Sequence, residues 1–210
     1  MTSSLVTEVW GLDSRSRAWH VCTPRGYGSH VVGASVPTDE ARIELAGAWS
    51  RFLSAQSPKR LHVVCEEPLS LKNGKTNRVL AMAAAAVHMA TFHKRTGGSV
   101  QWEWVDVESW KRHVIGRGGV DKAGVRDWVR THCGLEFQDQ DHYDACAIRV
   151  YGMVCRSMLP FVPLSIPAER KLAGHDAAYN RARAGALQAA LQTFTDNNLC
   201  GKLLTESPRR

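Results

Sequence analysis

Two short stretches near the start, TEVWGLD (7–13) and AWHVCT (18–23), place apolar residues at strand-like spacing and predict a pair of strands. HVVGASV (30–36) reads as a third strand, with TPRGYG between as a hairpin turn. Thr38 or Asp39 is placed to cap a helix over about 40–53, whose apolar side runs Ala41, Leu45, Ala48, Trp49 and Phe52. LHVVCEE is a continuous apolar run ending in acids, which suits a short buried strand, and LSLKNGKTN is a polar loop. An Ala- and Met-rich helix over about 77–94 should stop at Gly97-Gly98. VQWEWVDV alternates as a half-buried strand, VESWKRHVIG has helical spacing, and RGGV is a glycine loop. Asp121 can cap a helix over 122–132, and a last helix of this unit covers about 141–157.

The order β-β-β-α-β-α-β-α-α-α is that of an α/β fold with a mixed sheet covered by helices on both faces. Beyond Met158 the pattern changes. LPFVPLSIP holds three prolines and cannot be regular structure, so it reads as an arm or linker before a helix over about 175–195. The expected organisation is one domain over 1–158 and a Pro-rich arm with a C-terminal helix over 159–210.

The chain has 210 residues, 44% of them hydrophobic and 22% charged, which is the composition of a globular protein able to bury a core. Lys and Arg outnumber Asp and Glu by 27 to 20, a formal charge of +7 that suits a polyanionic partner. Six scattered cysteines show no CxxC or CxxH spacing, which argues against a structural zinc site and fits reduced thiols in a cytoplasmic setting. No signal peptide or membrane-spanning stretch is apparent; the Ala-rich run 80–90 is too short to cross a bilayer.

Against this background four carboxylates stand out. Asp13 and Glu66 each end an apolar strand, and Asp141 and Asp144 are three apart on one face at the start of a helix. Acids so close to a core need cationic compensation. A hard divalent ion such as Mg²⁺ provides it while leaving positions open for phosphate and water, which points to phosphodiester cleavage. Glu67 is the weaker candidate beside Glu66, because alternation sends it to the other side of the strand and Pro68 ends the strand. His142 is expected to point sideways, to solvent or DNA.

With the acids on these elements, the chain resembles the RuvC-type Holliday junction resolvases, particularly divergent phage-encoded ones, over about residues 7–157. WGLD resembles the first-strand Asp motif, with Ser14-Arg15 where Pro-Gly often follows. VVCEEP resembles the strand-end Glu, SWKRHVIGRGGVDKAGV the lysine and glycine-loop segment, and DQDHYDACAIRVYG the terminal D-x-x-D-A helix. The resemblance implies an RNase H-like fold and a homodimer formed through the 77–94 helix, where small residues allow close helix approach. It implies two metal ions per site, Mg²⁺ or Mn²⁺, held roughly 4 Å apart by Asp13, Glu66, Asp141 and Asp144. Lys111 and Lys122 would offset charge at the scissile phosphate. Leu69 would wedge into a four-way junction, with Lys72, Lys75, Arg78 and Arg117 on phosphates. The chain beyond Leu159 has no counterpart in that family. The rival within enzymes is an RNase H-like nuclease acting on flaps, forks and other branched DNA. Outside enzymes, the rivals are a junction-binding protein without chemistry and a scaffold dimer whose acids only cap helices.

Overall fold

The computed structural model describes residues 7–68, 74–93, 99–157 and 177–197. Its strands are β1 Glu8–Ser14, β2 Ala18–Thr23, β3 Gly26–Val31, β4 Arg60–Glu66 and β5 Ser99–Val105. Its helices are α1 Thr38–Gln56, α2 Gly74–His93, α3 Val107–Ile115, α4 Lys122–Cys133, α5 Gln140–Ser157 and α6 Ala177–Asn197. The strands form one sheet in the order β3-β2-β1-β4-β5. β1 and β2 pair antiparallel, as do β2 and β3, whereas β1–β4 and β4–β5 are parallel and joined by helical crossovers.

The central position of β1 decides what its side chains can reach. Trp10 and Leu12 point to one face, into a core shared with α1 and α2 that also holds Val63, Cys65, Ala83 and Val87. Trp10, Trp19 and Trp49 meet there edge to face, at 6.1 Å for Trp10–Trp49 and 5.2 Å for Trp19–Trp49. Val9 and Val64 point the other way, into a core built on α5 and completed by α3, α4 and α6. By the same period of two, Asp13 and Glu66 face α5.

α5 lies unusually close to the sheet. A Cβ on Gly11 would sit 2.1 Å from the Ala145 carbonyl oxygen and 2.3 Å from the Arg149 nitrogen. One on Gly152 would sit 2.6 Å from Val64 and 2.8 Å from Val9. Two missing side chains therefore let the helix rest directly on β1 and β4. Arg149, buried in this contact, donates from Nε to the Val9 carbonyl at 3.0 Å.

Three local expectations are corrected. The third strand is residues 26–31 rather than 30–36, because the hairpin closes over Pro24 and Arg25 alone. Thr23 Oγ1 both accepts from the Arg25 amide and donates to the Gly26 carbonyl, each at 3.1 Å. Tyr27 then packs on Phe137 and His142 and anchors the strand. α1 starts from Pro37, with neither Thr38 nor Asp39 capping it through a side chain. α2 begins at Gly74, so residues 74–77 belong to a helix and not to the preceding loop. The caps at Asp106 and Asp121 form on the α3 and α4 amides. α6 packs on α5, burying Ala186 and Ala190 in the same core.

Candidate active site

At the end of β1 next to the start of α5, a cleft of about 340 Å³ is lined by Asp13, Arg15, Glu66, Glu67, Leu80, Trp110, Lys111, Lys122 and Asp144, among others. Each acid arrives by a different route. Asp13 and Glu66 sit at adjacent strand ends on the α5 face, and Asp144 follows one turn behind Asp141 on α5 itself. Asp13 is only 4% exposed and Asp144 7%. Burial dominates their chemistry, with nearby cations opposing it and neighbouring acids adding to it. Burial pushes the Asp13 carboxyl up to about 8; Arg15 opposes this, and Glu66, Asp144 and Asp141 reinforce it. Asp144 is raised to about 6 by burial and by Glu66, against Lys122 and Arg15. Glu66 is raised by burial, although Trp110 donates from Nε1 to its Oε2 at 2.9 Å.

The group that holds these acids together is Arg15. Its Nη2 lies 3.0 Å from Asp13, 2.6 Å from Asp141 and 3.8 Å from Asp144, and its Nε adds a bond to Asp13 at 3.2 Å. One guanidinium thus bridges three carboxylates. Lys122 reaches Asp141 at 3.1 Å, and Lys111 donates to the Val120 carbonyl at 2.7 Å, tying the glycine loop back to α3. Arg117 is exposed on that loop and Arg78 is exposed on α2, both outside the cleft lining. Leu69 and Lys72 lie outside the described residues, as does the Lys75 side chain. The described apolar side chain of this region that lines the cleft is Leu80, from the second turn of α2.

Asp13, Glu66 and Asp144 share the cleft, and Arg15 ties Asp141 to them. Beside the cleft, His20 joins two of the acids: Asp13, Asp141 and His20 each offer one possible ligand atom, all within 4.8 Å of one another. Glu66 is turned toward Trp110 instead. The donor set of buried carboxylate oxygens fits a hard divalent cation. The site residues that sequence reasoning passed over are Arg15, His20 and Trp110. His20 had a readable signal, since the three-residue β1–β2 connection pairs it directly with Asp13. His142 does not point to solvent. It is 6% exposed and packed against Tyr27, Phe137 and His20, which corrects the expectation.

Comparison with solved structures gives the same architecture. A Thermus thermophilus RuvC structure superposes with a TM-score of 0.54 at 19% sequence identity, covering 69% of this chain and 92% of that one. T. thermophilus RuvC in complex with Holliday junction substrate gives 0.56 at 19% identity, covering 69% and 91%. The fold is RuvC-like. It is thus RNase H-like, as the order of elements and the placement of the acids anticipated. No protein-family model matches the sequence, and no curated protein matches it. Within this RuvC-like fold the acidic cleft lies at the end of the central strand, where β1, β4 and α5 meet.

Proposed function

We propose that the protein is a metal-dependent, structure-selective endonuclease that resolves four-way DNA junctions by paired nicks. The observation that carries this reading is the cleft itself, where acids on two adjacent strand ends and one helix sit beside Lys111 and Lys122 in a RuvC-like fold. The junction substrate bound by T. thermophilus RuvC supplies the substrate class. The overall charge of +7 supports a phosphate-rich partner, with salt-dependent affinity.

In this reading Asp13, Glu66, Asp141 and Asp144 would hold two divalent ions, Mg²⁺ or Mn²⁺, which would supply an activated water and charge neutralisation for phosphodiester hydrolysis. The chain's own residues do the rest. Arg15 offsets part of the charge on Asp13, Asp141 and Asp144. Trp110 fixes the Glu66 carboxylate through its Nε1–H. Lys111 and Lys122 stand at the rim to meet charge that builds on the scissile phosphate. A homodimer through α2, whose Met82 and Met89 are 45% and 66% exposed, would present two such clefts to strands of like polarity. Among the described residues no helix is long and apolar enough to cross a membrane, and the five described cysteines form no disulfide.

A nuclease of broader branched-DNA specificity is the second reading, since the same solvent-open acidic cleft beside Lys111 and Lys122 would serve flaps and forks. Incubation with a synthetic four-way junction, a flap and an RNA–DNA hybrid in Mg²⁺ separates the two. Paired nicks in the junction, abolished in Asp13→Asn and Asp144→Asn with junction binding retained, are expected. Faster cutting of the flap would favour the second reading, and undiminished cutting by both variants would remove the catalytic assignment.

A further inference from the structure

Beside the carboxylate cleft lies a second cluster of different chemistry. Its members come from three places: His20 from β2, Asp139 from the turn before α5, and His142 from the first turn of α5. Each offers one ligand atom, and these atoms all lie within 4.8 Å of one another. Both histidines are buried, at 2% and 6% exposure, whereas the Asp139 side chain is 47% exposed and opens the cluster to solvent.

We infer that His20, Asp139 and His142 form a second metal site, suited to a borderline transition-metal ion such as Zn²⁺ or Co²⁺. Three observations converge. First, His20 Nε2 and Asp139 Oδ2 are 3.1 Å apart. Two ligands bonded to one ion at roughly 2.0–2.2 Å, with angles between square and tetrahedral, sit roughly 2.9–3.5 Å apart. Second, His142 Nε2 is buried without a hydrogen-bond partner, although the same ring bonds the Gly28 backbone. A buried polar atom left unpaired is costly, and a ring whose other nitrogen is fixed by backbone presents that lone pair ready for a metal. Third, His20 Nδ1 is likewise buried without a hydrogen-bond partner and faces Asp141 Oδ2 at 4.0 Å. With an ion on Nε2, the proton of His20 resides on Nδ1, on the side of that carboxylate, where a small approach of Asp141 would complete a carboxylate–histidine–metal arrangement.

The ligand chemistry separates this site from its neighbour. Two imidazoles and one carboxylate, with solvent completing the shell, select zinc-like ions. The cleft offers mainly carboxylate oxygens, which suit magnesium. Asp139 can serve without giving up its structural role, because Oδ1 accepts the Asp141 amide at 3.0 Å while Oδ2 faces His20. An ion here clamps the first turn of α5 to β2. It thereby sets the position of Asp141, which neighbours one ligand in sequence and lies 4.0 Å from the ring of another.

The test uses the full chain carrying Asp13→Asn and Glu66→Gln, so that the cleft is disabled and nuclease activity is not the readout. After chelator treatment the protein is titrated with Co²⁺ and followed by visible d–d absorption. One Co²⁺ per chain, displaced by Zn²⁺ but not by a large excess of Mg²⁺, is expected. Adding His142→Gln or Asp139→Asn should weaken Co²⁺ binding by at least about tenfold. Asp139→Asn retains the oxygen that caps α5, so circular dichroism and melting temperature verify that the fold persists. No Co²⁺ spectrum in the cleft-disabled protein, or equal Co²⁺ affinity with and without the His142 and Asp139 substitutions, overturns the site. Failure of the junction assay with Co²⁺ binding intact would leave this site standing.

Discussion

Replacing Asp13 by Asn should stabilise the metal-free protein, and by an amount that depends on pH. Unfolded, the Asp13 carboxyl ionises at about 4; folded, it holds its proton to about 8. Between those values the native state binds more protons than the unfolded state, so stability falls as pH rises. The contribution is fully present below pH 4 and lost as pH climbs through about 8. About 4 pKa units correspond to a ceiling of roughly 6 kcal/mol. Relaxation and water entry in a cleft open to solvent reduce this, and about 3 kcal/mol at pH 8 is a realistic expectation. For a domain of this size that is a rise in Tm of roughly 6–12 °C for Asp13→Asn at pH 8 in EDTA, shrinking toward zero near pH 4–5. Tryptophan fluorescence melts of both proteins at pH 5, 6.5 and 8 measure it directly. Mg²⁺ should raise the wild-type Tm more at pH 8 than at pH 5 and leave Asp13→Asn nearly unmoved. A difference between the two proteins that stays constant across pH would refute the reasoning, because it would place Asp13 in ordinary ionisation with its charge already compensated.

Other substitutions report on separate parts of the site. Gly11→Ala places a methyl group 2.1 Å from the Ala145 carbonyl oxygen, so α5 must lift; a loss of at least about 3 kcal/mol in denaturant melts, with nuclease activity lost alongside, is expected. Arg15→Gln removes the guanidinium shared by three acids; Mn²⁺ should bind several-fold tighter by calorimetry while junction binding weakens in a gel-shift assay. Trp110→Phe removes the bond to Glu66 and should slow nicking about tenfold with junction affinity unchanged, measured in single-turnover reactions.

Much of this architecture is legible along the chain, for physical reasons that differ by element. β1, β4 and β5 are readable because a buried strand leaves a short apolar run or a period of two, and α1 because Ala41, Leu45, Ala48, Trp49 and Phe52 mark one face. The acids could be placed because strand ends and a helical i, i+3 spacing fix where side chains point. What the sequence hides is set by tertiary pairing. Arg15 draws its importance from Asp141 and Asp144, over a hundred residues away. The burial of His142 depends on Tyr27 crossing from β3, a strand that periodicity places four residues late because a two-residue turn has little signature of its own. The onset of α2 at Gly74 runs against glycine's poor helix propensity, so a polar loop was the natural reading of 74–77.

α5 is enclosed without a break from His142 to Gly152, with the sheet beneath and other helices around it. Such a rod has no wet side along that stretch on which substitutions are free, so its pitch and seating are dictated by the interior. Variation is then left to the rim of the cleft, including the segment that joins α3 to α4. The reacting centre stays a rigid anvil while its surroundings drift.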